Sequence, residues 1–443
     1  MTPPLAASPS DVSIIGGGLA GLSAAVALAS RGIRITLLES RQRLGGRASS
    51  FHDPVTGDLV DACQHVSMGC CSAFAAFCRT VGIDPLLEAQ PTLFFMTPDR
   101  RVSRFGADRL PAPLHLARSL LRAHYLTLAD KLRIGWGMLA LRRAHPDDDQ
   151  PLLPWLKQQR QNRRVIERFW TVVLVSALNE SLDNLGLKYA RKVFIDAFLT
   201  DRKGFEVSIP TVPLARLYGE ELQHWFDKHG VTVETGANVA GIDVNGDRVT
   251  GLRLRDGRHL TADGYIAAVP SERLRALLPA DIVEKHACFR DTRHLAVSPI
   301  TSVHFWFDRP TIKLPHVVLV DCLGQWVFRR QPHYLQVVVS AARSLKGLGN
   351  EEITRHIHAE LCRLFPALTA AVVTRSKVVT EHAATFSPLP GVDRWRPAQA
   401  TPLSNFALAG DWTATGWPAT MEGAVRSGEL AATVMAELLP SIK

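Results

Sequence analysis

No stretch of this 443-residue chain approaches the ~18 consecutive apolar residues that a membrane span needs. A spanning helix is therefore not expected. The opening MTPPLAASPS lacks the basic start and apolar run of a secretion signal, and residues 1–10 read as a disordered tail. Cysteine is sparse. The seven cysteines are odd in number, and the C-x6-C-C-x6-C run over 63–78 fits neither a disulfide framework nor a zinc site. Reduced thiols, a cytoplasmic protein and no metal are expected. A net charge of +9 comes without a zinc finger, an RNA-binding motif or a Lys/Arg tract, so nucleic acid is not an expected partner. Acids almost vanish between Leu110 and His145, where Asp130 is the only one.

What is present is an ordinary globular composition, 46% hydrophobic and 21% charged, enough for a large core in two or three domains. The ordered part begins DVSIIGGGLAGLSAAVALASRGIRITLLES. A β-branched strand (Val12 to Ile15) leads into Gly16, Gly18 and Gly21 in G-x-G-x-x-G spacing. An Ala/Leu helix and a second strand follow, and Glu39 stands eighteen residues after Gly21. Each part has a task at a dinucleotide. Gly16 makes the tight turn, Gly18 lets a pyrophosphate approach the backbone, and Gly21 lets helix and strand pack closely. The helix N-terminus favours phosphate, and Glu39 can accept from ribose hydroxyls. The run SRQRLGGRASSF follows at once, with Arg41, Gly45, Gly46 and Arg47. A Gly pair among arginines there resembles the extended fingerprint of a flavoprotein superfamily that includes monoamine oxidases and carotenoid desaturases. That resemblance implies that Arg47 pairs with the pyrophosphate.

Further on, Asp61, Gln64 and His65 precede an apolar helix that ends near Gly82. The segment 111–170 has helical spacing with a basic polar face, as in helices that lie on an anionic bilayer; a helical cover over an active site has the same pattern. Two core helices are expected around 179–185, and another from about Leu214 to His229. Asn-Gly and Asp-Gly turns mark a hairpin over 241–264. SPITSVHFWFDRP, HVVLVDCLGQWVFRR and HYLQVVVSAARS read as three antiparallel strands forming a substrate platform. Its aromatics Phe305, Phe307 and Trp326 are candidate pocket residues, since strand alternation puts only some of them in the core. The final LAGDWTATGWPATMEGAVRSG reads as a buried strand, an acid, two tryptophans and a helix start.

Taken together, IIGGGLAGLSAAVAL, LGGRASSF, DACQHVSMG, SVHFWFDRP, QWVFRR and LAGDWTATGWPATMEGAVRSG resemble the bacterial hydroxysqualene dehydroxylases, over roughly residues 10–440. Cys63 departs from the glycine expected in D-x-G-Q-H, and the Cys70–Cys71 pair is a second departure. The resemblance implies an α/β fold: an FAD-binding, glutathione-reductase-like Rossmann domain with an inserted mixed-sheet substrate domain and a helical subdomain. It divides the chain into FAD-binding parts at 11–110, 206–275 and 381–443, a helical substrate or membrane-facing unit at 111–205, and a sheet domain at 276–380. It implies FAD held by Gly16, Gly18, Gly21, Glu39, Arg41, Gly45, Gly46, Arg47, Gln64, Val239, Gly410, Asp411, Glu422, Gly423 and Ala424. The implied substrate is a hydrophobic C30 isoprenoid, with Trp412 and Trp417 beside the ring and His65, Asp61 and Glu422 as candidate proton donors. The implied reaction reduces hydroxysqualene to squalene with loss of water, at the inner face of the cell membrane and with an electron donor left open. Three alternatives share the cofactor or the fold. They are a carotenoid desaturase or isomerase, an amine oxidase, and a flavin-free prenyl-binding protein.

Overall fold

A computed structural model describes residues 10–439; apart from Ser10, the tail expected over 1–10 lies outside them. The β-branched run becomes the strand Asp11–Ile15, at the centre of a five-stranded parallel sheet. Its neighbours are Arg34–Glu39 on one side and Gly264–Ala267 on the other, with Val231–Thr235 and Phe406–Leu408 at the edges. Three distant parts of the chain thus build one sheet. The helix Leu19–Ala29 is buried nearly all round because the C-terminal helix Met421–Leu438 packs across it. That contact is close: a Cβ on Gly428 would lie 2.3 Å from the Ala20 carbonyl oxygen. The hairpin read from its turns is the pair Val239–Asn245 and Arg248–Leu254, joined through Asn245-Gly246.

The second sheet has seven strands, in the order Val373–Phe386, Val297–Phe307, Tyr334–Ser340, Trp326–Gln331, His316–Leu319, Thr92–Met96, Val102–Gly106. Two expectations change here. HVVLVDCLGQWVFRR is two strands, because Asp321 takes a positive φ and turns the chain. Thr92–Met96 and Val102–Gly106 fall within the span expected to bind FAD, yet they extend this sheet. One face of the sheet is closed by the helix Asn350–Leu364, with Val303, Phe305, Phe307, Leu335 and Val337 in the layer between.

The segment poor in acids folds as helices Ala117–Arg122 and Leu128–Arg143. Asp130 is 2% exposed and closes a capping box with Thr127 at the start of the second helix. The segment's one acid is therefore withdrawn from the surface. Helices over 163–178 and 187–200 pack behind it, the first ended by Asn179 in the left-handed conformation. Among the described residues no helix is long and apolar enough to cross a membrane.

Candidate functional site

The glycine loop has the geometry of a phosphate cradle. A Cβ on Gly21 would sit 1.9 Å from the Gly16 carbonyl oxygen, so helix and turn meet this closely only because Gly21 lacks a side chain. At Gly18 the nearest atom to such a Cβ is the Gly46 Cα, 3.9 Å away. That spot is an open ledge at a helix start, where backbone N–H groups face outward. The Gly45 N–H donates to the Gly17 carbonyl at 2.8 Å, which seats the Gly pair beside the ledge. Glu39 is buried; its carboxylate accepts from the Gly17 and Arg41 N–H groups, each at 2.8 Å. Arg41 itself points to solvent. Thr235 is the register partner of Glu39, so the chain leaving that strand brings Val239 past the same sheet edge.

Arg47 and Asp411 are each expected to hold the cofactor. In the structure they pair with each other, Arg47 Nη2 to Asp411 Oδ1 at 2.7 Å. The strand end after Phe406–Leu408 thereby meets the Gly pair. Below this contact lies a residue with no sequence signal, Arg396. Its guanidinium has no exposure. It donates to the carbonyls of Asp411 (3.1 Å), Thr413 (2.5 Å) and Trp417 (2.8 Å), and also to Asp393 Oδ1 at 3.1 Å and to the Tyr189 hydroxyl. One buried cation thus shapes the whole 411–417 loop. Thr420 then caps the C-terminal helix by accepting from the Gly423 N–H at 3.1 Å, which leaves Gly423 and Ala424 in its first turn.

Several expected roles are corrected. Trp412 is 5% exposed, packs over Gly410 and donates Nε1–H to the Val269 carbonyl at 3.0 Å; it belongs to the core. Trp417 is half-buried, but Lys192 Nζ lies 4.2 Å from its ring centre and Arg426 5.2 Å. Its π system already holds two cations. Glu422 is fully buried and accepts from the N–H groups of Ala73 (3.1 Å) and Phe74 (2.8 Å) and from Arg426 Nε (2.6 Å). It closes the open start of helix Ser72–Val81. Asp61 accepts from Ser50 (2.6 Å), the Leu214 N–H (3.0 Å) and Arg330 Nη2 (3.0 Å). A carboxylate so bound is a bracket between chain segments. Phe305 and Phe307 face the helix Asn350–Leu364 and lie in the core.

His65 lies in the segment that crosses between the short strands Leu59–Asp61 and Ser67–Met68. Its Nδ1 lies 3.0 Å from the Cys63 carbonyl oxygen, and burial lowers its pKa below the usual imidazole value. The ring is therefore neutral near pH 7, with the proton on Nδ1 and Nε2 as the acceptor. Gln64 Oε1 is buried without a protein partner. Burial also pushes the neighbouring Cys63 thiol up to about 12. The face of the large sheet opposite Phe305 carries Ser302, His304 and Trp306, and across the register Tyr334 and Gln336. Trp326 shares that face, half-buried, and donates Nε1–H to Ser176 Oγ at 3.0 Å.

Next to Trp326 and the helices over 163–178 and 187–200 lies a cavity of about 340 Å³. Phe95, Tyr125, Met138, Phe169, Phe194 and Phe198 are among its walls, and its charged side chains are only Arg142 and Arg168. Leu114 and Leu139 line it too, yet they are 57% and 41% exposed, so they form its rim. On the same outer face Leu128, Leu132 and Trp136 are 68%, 69% and 52% exposed. With Leu139 they follow helical spacing and make one stripe. Arg118, Arg122, Arg142 and Arg143 stand exposed around it.

The cradle, the buried ribose acid and the unpartnered Gln64 oxygen fit a bound dinucleotide, and comparison with known proteins agrees. The family model described as flavin containing amine oxidoreductase matches residues 19–436. A hydroxysqualene dehydroxylase of Sinorhizobium fredii is 28% identical over 96% of this chain and 98% of its own length. A 15-cis-phytoene desaturase of Synechococcus elongatus is 28% identical over 95% and 94%. One from an Oncidium hybrid cultivar is 29% identical over 97% and 78%. Among solved structures, an oxidoreductase from Methanosarcina mazei superposes with a TM-score of 0.73 at 16% identity, covering 96% of this chain and all of that one. A putrescine oxidase variant superposes at 0.72 and 16%, covering 97% and 99%. The chain belongs to the flavin-containing amine oxidoreductases, with FAD as its cofactor.

Proposed function

We infer that this flavoprotein works on a long, hydrophobic isoprenoid taken from a membrane, and that its reaction is the reduction of hydroxysqualene to squalene with loss of water. The observation that carries the reading is the apolar cavity whose rim is the leucine stripe of a basic, acid-free surface. Apart from Arg142 and Arg168 such walls are almost wholly apolar, and a polyprenyl chain gains roughly 25 cal/mol for each Å² it buries there. The relative named hydroxysqualene dehydroxylase, aligned nearly end to end with this chain, points the same way.

Bound FAD supplies hydride when reduced. The residues of the chain do the rest. The cradle and Glu39 hold the adenosine and phosphate end; the loop shaped by Arg396 and the first turn capped by Thr420 support the other. The aromatic and aliphatic walls exclude water, which would recapture an allylic cation as the alcohol. His65 is the proposed proton carrier, acting at Nε2 while Nδ1 stays on the Cys63 carbonyl.

Desaturation of a phytoene-type hydrocarbon is the second reading. It is favoured by the matches to phytoene desaturases and by a neutral His65 with a free acceptor nitrogen. One assay separates the two. FAD-loaded protein and a reductant are incubated with hydroxysqualene, and a parallel sample receives phytoene and an electron acceptor, with products read by mass spectrometry. Squalene from the first supports dehydroxylation. Desaturated product from the second, without squalene from the first, replaces it.

A further inference from the structure

The inner face of the large sheet is polar just where it meets the crossing segment. His304 and Gln336 are register partners on adjacent antiparallel strands, so their side chains leave the sheet side by side. Both are fully buried. The Tyr334 hydroxyl lies 2.7 Å from His304 Nδ1, and Gln336 Nε2 donates to Ser302 Oγ at 2.9 Å. The remaining polar atoms of the two side chains, His304 Nε2 and Gln336 Oε1, have no protein partner. Burial, helped by the charges of Arg330, Arg375 and Lys377, holds His304 neutral, lowered to about 3. When the phenol donates to Nδ1, the ring proton sits on Nε2. Nε2 is then a donor and Gln336 Oε1 an acceptor, on side chains that leave the sheet from paired positions, and a buried polar atom left without a partner is destabilising. A single oxygen that accepts from Nε2–H and donates to Oε1 satisfies both. Ser302 joins this spot to the crossing segment, since its hydroxyl lies against the Cys63 thiol.

We propose that His304 and Gln336 form a seat for one hydroxyl-sized oxygen, a water at rest, and that during turnover the seat receives the oxygen leaving the substrate. The second half rests on the dehydroxylation reading. In that reaction the C–O bond breaks with its electron pair going to oxygen. Overall, alcohol and dihydroflavin give hydrocarbon, water and oxidised flavin, so atoms and electrons balance without another reactant. A seated oxygen is held away from the cation, which lowers the chance of its return.

The test joins structure and kinetics. A high-resolution crystal structure of the FAD-loaded protein is expected to show an ordered water within hydrogen-bond distance of both atoms. Gln336→Met keeps the volume and removes the amide; it should lose the water and slow conversion of hydroxysqualene at least tenfold, with FAD affinity unchanged. Tyr334→Phe, which spares the seat but frees the imidazole proton to move, should slow it several-fold. Absence of the water from the wild type overturns the seat. A water present with both variants within twofold of wild type overturns its part in turnover. A water present in a wild type that converts no isoprenoid leaves the seat standing and removes the functional reading instead.

Discussion

His65 shows how one hydrogen bond fixes what a residue can do. Nδ1 donates to the Cys63 carbonyl, so protons are gained and lost at Nε2, and burial makes the imidazolium scarce at neutral pH. If this imidazolium supplies the proton for departure of the hydroxyl, the single-turnover rate with hydroxysqualene rises as pH falls from about 7.5 to about 5.5, because the folded-state pKa lies below the ordinary ~6.5. In His65→Gln that slope should vanish; a slope unchanged in the variant removes His65 from the proton path. Glu422 gives the opposite case. Glu422→Gln should keep catalysis but lose about 2–3 kcal/mol of stability in urea titrations, since Ala73, Phe74 and Arg426 lose a charged partner. Sequence proximity could not separate these two residues. Both lie in motifs, and what distinguishes them is how many donors each carboxylate or ring already holds. Arg396 was invisible for a related reason: its partners are carbonyls of a loop that has no fixed spacing from it.

At the scale of elements, legibility followed periodicity. The strand–glycine–helix–strand unit with Glu39 was readable because each of its parts is local. So was the hairpin Val239–Asn245 and Arg248–Leu254, from its Asn-Gly turn. Which aromatics of Val297–Phe307 face the site was not, because alternation gives two faces without saying which one a helix covers; Phe305 and Phe307 went to the covered one. The other face carries buried imidazoles with acid sensitivity. His304 is lowered to about 3 and His316 to about 4, both by burial. An unfolded chain protonates both below ~6.5 while the fold does not, so stability is lost as pH falls from about 6.5 toward about 4. His316 has no partner at either nitrogen and sits among Phe94, Trp326 and Phe328. His316→Phe should narrow the gap in Tm between pH 7.5 and pH 5.0, read by circular dichroism. The helices Ala117–Arg122 and Leu128–Arg143 carry the membrane proposal. Reversing the charge of Arg118, Arg122 and Arg142 should cut binding to phosphatidylglycerol vesicles about tenfold or more and flatten its salt dependence. Lys131 is a poor probe, because its ammonium already donates to the Leu121 carbonyl at 2.6 Å. Unchanged sedimentation with vesicles removes that face as the docking surface.

For the whole molecule the decisive fact is that the cofactor site is closed by segments hundreds of residues apart. The cradle and Arg47 come from the first fifty residues and Asp411 from the last fifty. Arg396 ties the latter's loop to Tyr189 in the helical unit. Contacts among these segments form only in the folded chain, so a ligand that touches all of them stabilises by mass action, ~2.7 kcal/mol at a concentration 100 times Kd. Arg396 is the joint where the 411–417 loop meets Tyr189 of the helix Leu187–Lys192, and its donors outnumber those of any lysine that could replace it. Arg396→Lys keeps the charge and loses the fork; it should weaken FAD binding at least tenfold. The rise in Tm on stepwise addition of FAD should then shift to correspondingly higher concentration. A variant that unfolds at a lower temperature without FAD, yet shows the wild-type FAD titration, would make Arg396 a support of the helical unit alone.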